Sequence, residues 1–126
     1  MARVLIIFSD PAATEAPALV CDDAGHTVDF APVYDAANAV ARGFDLVVVT
    51  ADAPLTPVRA LRAAAPELPI VVVTLPLDEA DQQALRAERV RGIVFRPYAI
   101  QTLRKLLGSH VTTVTTEELH DVLFEV

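Results

Sequence analysis

The sequence predicts an α/β fold: a three-layer (βα)5 sandwich around a five-stranded parallel sheet, with a C-terminal extension. Two observations lead there. The runs VLIIF (Val4–Phe8), LVVVT (Leu46–Thr50) and IVVVT (Ile70–Thr74) are apolar or β-branched at every position, as strands covered on both faces are. The stretches between them are rich in Ala, Leu and Arg, so strand and helix alternate. Right-handed crossovers then put helices on both faces of a parallel sheet.

In chain order, VLIIF is the first strand and Ala12–Ala24 the first helix. HTVDFA (His26–Ala31) is a weaker second strand, and Asp35–Arg42 the second helix. LVVVT is followed by a helix over Pro57–Ala65, and IVVVT by one over Glu79–Arg89. GIVFR (Gly92–Arg96) is the fifth strand. Ile100, Leu103 and Leu107 then form an apolar stripe at helical spacing. Gly25 and Gly43 follow the first two helices, where a left-handed residue closes a helix. Pro66 and Pro69 separate the third helix from the next strand. The domain is expected over residues 1–108 and a tail over 109–126. In the tail, Thr115 and Glu118 form a capping box, and Leu119, Val122, Leu123 and Val126 make one apolar stripe. A short acidic helix over 116–126 that docks on a partner surface and favours a homodimer is expected.

Composition narrows the function. The chain has 126 residues, enough for one compact domain. At 53% hydrophobic it can bury a substantial core. Its net charge of −7 argues against a nucleic-acid partner. Residues 1–57 carry eight acids against Arg3 and Arg42, whereas residues 58–105 carry eight bases against five acids. The single cysteine, Cys21, excludes an internal disulfide and most zinc sites and fits a reducing cytoplasm. It reads as a small core residue. No segment is long and apolar enough to be a signal peptide or to span a membrane.

In such a sheet, function sits at the carboxyl ends of the strands. Those ends are Ser9 and Asp10, Thr50 to Asp52, Thr74, and Arg96. Here the sequence resembles the response-regulator receiver family, whose fold is flavodoxin-like, over about residues 3–108. FDLVVVTADAP resembles the family's third strand, where a phosphoryl-accepting Asp is followed four residues later by Pro. Thr50 and Pro54 have that spacing. IVVVT puts Thr74 at the family's hydroxyl switch position. GIVFRPY resembles the fifth strand's Lys-Pro-Phe, with Arg96 for Lys and Tyr98 for Phe. The family's acidic pair after the first strand matches Phe8 and Ser9, with Asp10 next. Its aromatic switch matches Ile93.

The resemblance therefore implies a receiver that has lost phosphotransfer and acts as a protein-interaction module in two-component signal transduction, not as an enzyme. A neutral threonine cannot form an acyl phosphate. Magnesium normally takes one or two carboxylates, and only Asp10 and Asp52 are on offer, so no metal or other cofactor is expected. A phosphorylatable receiver with Asp52 or Asp10 as displaced acceptor is the alternative. A small-ligand flavodoxin-like domain is another, although SDPAAT lacks the glycines of a phosphate-cradling loop.

Several of these residues have simpler readings. Asp10 before PAAT is a good helix N-cap with Pro11 in the first turn. Asp52 is either a solvated loop acid or a salt-bridge partner. Arg96 either reaches Asp52 or Asp10 with its rigid fork or points into solvent. Thr74 is structural if no phosphoryl group arrives. His26, His110 and His120 lack ligand spacing and read as surface residues. The expected partner is a protein of the same pathway or a second copy. Arg86, Arg89, Arg91, Arg104 and Lys105, mixed with nearby acids, are the expected interaction face.

Overall fold

The alternating segments fold as one parallel sheet with helices on both sides. The computed structural model describes residues 2–96 and 100–108. The strands are β1 (Arg3–Phe8), β2 (Thr27–Pro32), β3 (Leu46–Thr50), β4 (Ile70–Thr74) and β5 (Gly92–Phe95). They lie in the order β2-β1-β3-β4-β5. The helices are α1 (Glu15–Asp23), α2 (Ala36–Val40), α3 (Leu55–Ala64), α4 (Glu79–Ala87) and α5 (Ile100–Gly108). The chain leaves β1 first toward β2 and then returns past it to β3, so strand order reverses there. Phe8 and Thr50 are register partners at that point.

Strand alternation divides the core in two. Leu5, Ile7, Val47, Val49, Ile70 and Val72 pack with Val58 and Leu61 of α3 and Leu85 of α4. Val4, Ile6, Val48, Val71 and Val73 pack with Val20 and Cys21 of α1 and Leu103 and Leu107 of α5. Both faces are therefore covered, which is why the strands carry no polar alternation. Each fully buried side chain of this size contributes about 1.5–3 kcal/mol.

Helix ends depart from the sequence expectation for local reasons. The first helix does not begin at Ala12. Pro11–Thr14 form a 3₁₀ turn and α1 starts at Glu15. Asp10 caps that turn by accepting from Ala12 N at 3.1 Å, and Thr14 Oγ1 donates to Pro11 O at 2.8 Å. Pro17 has no N–H, so the α-helical ladder cannot extend back to Ala13. The second helix is shorter than Asp35–Arg42, because Val33–Asp35 form a 3₁₀ turn and α2 ends at Val40. Helix α3 starts earlier, at Leu55, which puts Pro57 in the first turn where no N–H is needed. Helix α4 stops at Ala87, and Arg89 takes a left-handed φ of 61°. Gly25 and Gly43 take φ 83° and 86°, the conformation expected of them.

Cys21 is fully buried, and desolvation pushes its thiol up to about 11 from 9.0. The folded state favours the neutral thiol. Its contribution to stability is thus complete below pH 9 and is lost as pH rises toward 11. Native protein at pH 8 should react with a disulfide reagent far more slowly than unfolded protein does. Equal rates for the two would show that the helix opens too readily to count as core.

His26 corrects the surface assignment. It is half-buried, and its Nδ1 accepts from Ala2 N at 3.2 Å. Its Nε2 lies 3.1 Å from Leu107 O, so the tautomer with its hydrogen on Nε2 satisfies both bonds. The imidazole thus joins the start of β1 to the end of α5. Tyr98, His110, His120 and the tail stripe Leu119, Val122, Leu123 and Val126 lie outside the described residues. Among the described residues, no helix is long and apolar enough to cross a membrane.

Candidate functional site

The carboxyl ends of β1, β3, β4 and β5 meet at one rim of the sheet. Backbone bonds join them. Ser9 N donates to Thr50 O at 3.2 Å, Ala51 N to Val73 O at 3.2 Å, and Arg96 N to Thr74 O at 2.8 Å. Each predicted site residue on a strand end is thereby held in place by the ladder itself. Ser9 and Asp10 are exposed, whereas Thr50 and Thr74 are buried at 1% and 0% exposure.

Two features dominate the chemistry. Arg96 reaches across the rim, and its Nη2 donates to Asp52 Oδ1 at 2.6 Å. The bond ties the end of β5 to the β3–α3 loop. Asp52 is well exposed, at 68% for its side chain, so the pair contributes at most about 1 kcal/mol to stability. Its effect is geometric, since it fixes where the guanidinium sits. Beneath it, Thr50 Oγ1, Thr74 Oγ1 and Arg96 Nε are buried without a hydrogen-bond partner among the described residues.

Asp10 is not drawn into this group. Its carboxylate is turned onto Ala12 N as a helix cap. Among the described residues, no three His, Cys, Asp or Glu side chains come together in a metal-holding group. These residues do not match the acidic pair and acceptor carboxylate with which the resembled family holds magnesium. One candidate carboxylate caps a helix, the other is held by a guanidinium, and the residue between them is a neutral threonine. On either side of the β3–α3 loop lie small depressions. One, of about 230 Å³, lies against α4 and includes Leu55, Leu77 and Leu85. The other, of about 590 Å³, lies against α3 and includes Tyr34, Thr56 and Pro57.

No protein-family model and no curated protein matches the sequence. Solved structures do resemble the fold. The chemotaxis protein CheY4 of Vibrio cholerae superposes with TM-score 0.73 at 23% identity, over 85% of this chain and 96% of its own. The isolated REC domain of RcsB from Salmonella enterica serovar Typhimurium, solved with the phosphomimetic BeF3⁻, gives TM-score 0.77 at 17% identity, over 97% and 98%. The signal receiver domain of a modulated diguanylate cyclase from Desulfovibrio desulfuricans gives 0.70 at 19%, over 83% and 89%. The structural neighbours are CheY-like response-regulator receiver domains. At these identities the likeness establishes the receiver fold and leaves function to the residues at the site.

The five bases of the expected interaction face lie on α4, on α5 and in the turn between α4 and β5. Arg104 Nη2 lies 3.8 Å from Asp23 Oδ2 and so faces α1. Arg86 and Lys105 sit in the last turns of α4 and α5. Arg89 and Arg91 line a cleft with Arg62 at the amino ends of β4 and β5. The sequence reading missed Arg62. Its Nε donates to Glu88 O at 2.8 Å, and its Nη1 to Ala65, Pro66 and Leu68 O at 3.4, 2.9 and 2.8 Å. Its Nη2 donates to Arg89 O at 3.3 Å. The available signal was an arginine in the last turn before a Pro-rich connection, where open helix carbonyls need donors.

Proposed function

We propose that this chain is a receiver-type signalling domain that works without phosphotransfer, as a protein-interaction module. Receiver domains are generally signalling modules, not catalysts, and their fold supplies the frame. What supports the reading is the bond from Arg96 to Asp52 across a rim whose central strand ends in Thr50. A phosphoryl acceptor at this place needs a carboxylate free to attack and cations free to neutralise the charge in transfer. Thr50 offers no carboxylate, Asp52 is already held by Arg96, and Asp10 caps a helix. The salt bridge fixes by itself the arrangement that a bound metal and phosphoryl group would otherwise have to assemble. The module would then present one conformation to its partner, with the partner's own concentration as the variable.

Incubation with acetyl phosphate or phosphoramidate and Mg²⁺ should leave the intact mass unchanged. A stoichiometric adduct would sink the proposal. If that adduct mapped to Asp52 or Asp10, the displaced-acceptor reading would take its place.

A further inference from the structure

We propose that the cleft between the α3–β4 and α4–β5 turns binds a phosphate-type oxyanion, carried on a compact phosphorylated small molecule. The cleft lies at the amino ends of β4 and β5, across the sheet from the Thr50 rim, so it is independent of the function proposed above. It encloses about 420 Å³ and is lined by Arg62, Glu67, Leu68, Arg89 and Arg91, among others. That is room for more than one phosphate group.

Three guanidiniums thus face one depression in a chain whose net charge is −7. Among the described residues, none of them has a carboxylate at ion-pair distance. Glu88 is engaged by Arg59 instead, at 3.6 Å. The partners of Arg62 and Arg89 are backbone carbonyls, which use their N–H groups but leave their charge uncancelled. Arg62 accordingly has its proton affinity lowered, first by burial and next by the charge of Arg89, against smaller opposing effects of Glu88 and Glu67. Burial alone lowers that of Arg91.

The donors divide their tasks. Arg62 is spent on the two turns and acts as the frame. Arg89 gives Nη2 to Pro66 O at 3.1 Å and keeps its other N–H groups. Arg91 Nη1 is buried and has no hydrogen-bond partner among the described residues. Among the described residues the three guanidinium charges have no carboxylate counter-ion, and a dianionic oxygen ligand in the cleft supplies the missing charge. Arg89 holds its place at φ 61°, where glycine would be free of strain. Its side chain lines the same cleft.

The test uses the whole chain and inorganic pyrophosphate as probe, with sodium chloride at matched ionic strength as control. Amide resonances of Leu68, Arg89, Val90 and Arg91 should shift saturably, while those of Ser9, Thr50 and Asp52 stay still. An R89M/R91M variant, or R91Q alone if the double variant fails to fold, should bind at least tenfold more weakly. Absence of saturation, equal shifts in chloride, or undiminished binding by the folded variant would each overturn the proposal.

Discussion

Replacing Arg62 by methionine should lower the free energy of unfolding by about 3 kcal/mol, one of the larger losses any single change outside the apolar core can produce here. Methionine keeps most of the aliphatic stem, so the loss isolates the guanidinium. That group donates to the carbonyls of Ala65, Pro66 and Leu68 after α3 and of Glu88 and Arg89 after α4. The last carbonyls of a helix have no partner within it and need donors from elsewhere. One cation therefore closes two helix ends and holds two turns together. Hydrogen bonds to a charged donor are each worth about 1.5–3 kcal/mol. Water would recover part of this in the variant, since the turns lie near the surface. Urea unfolding should show an earlier midpoint with an unchanged slope. A loss below about 0.5 kcal/mol, the range of ordinary surface changes, would mean that the turns hold their shape without Arg62.

Replacing Thr50 by valine should raise stability by about 1–2 kcal/mol, and replacing Thr74 by valine should do the same. Both hydroxyls are buried, and neither has a hydrogen-bond partner among the described residues. Valine has nearly the same shape and suits a central strand, so the change removes a desolvated polar group and little else. Most substitutions at buried positions destabilise, which makes an increase a distinctive outcome. If either variant is instead less stable, that hydroxyl has found a partner such as a bound water, and the rim is a polar site in use. The gain would also explain what the domain gives up for its rim. A purely structural strand end would carry valine, as Val49 and Val73 do one position earlier.

The sequence alone determined the layers. Runs such as LVVVT and IVVVT have no polar phase, so they must be covered on both sides, and that requirement is local to each run. Asp10 as a cap and Gly25 and Gly43 as left-handed closures follow from neighbours within a few residues. The strand ends at Thr50 and Thr74 were legible for the same reason. The chain's helix ends were less so, because Pro17 and the 3₁₀ turns shift them by a few residues.

Only the tertiary structure decided what those residues touch. Of the two sequence readings of Arg96, bridge or solvent, the fold selects the bridge to Asp52, 44 residues away. It set Arg104 beside Asp23 and brought Arg89 and Arg91 into one cleft with Arg62. It made His26 a link to Leu107, 81 residues on. A pattern in sequence reports which face of an element is buried. A long polar side chain chooses its partner by where separate elements bring donors and acceptors within about 3 Å, and that distance exists only once the sheet order is set.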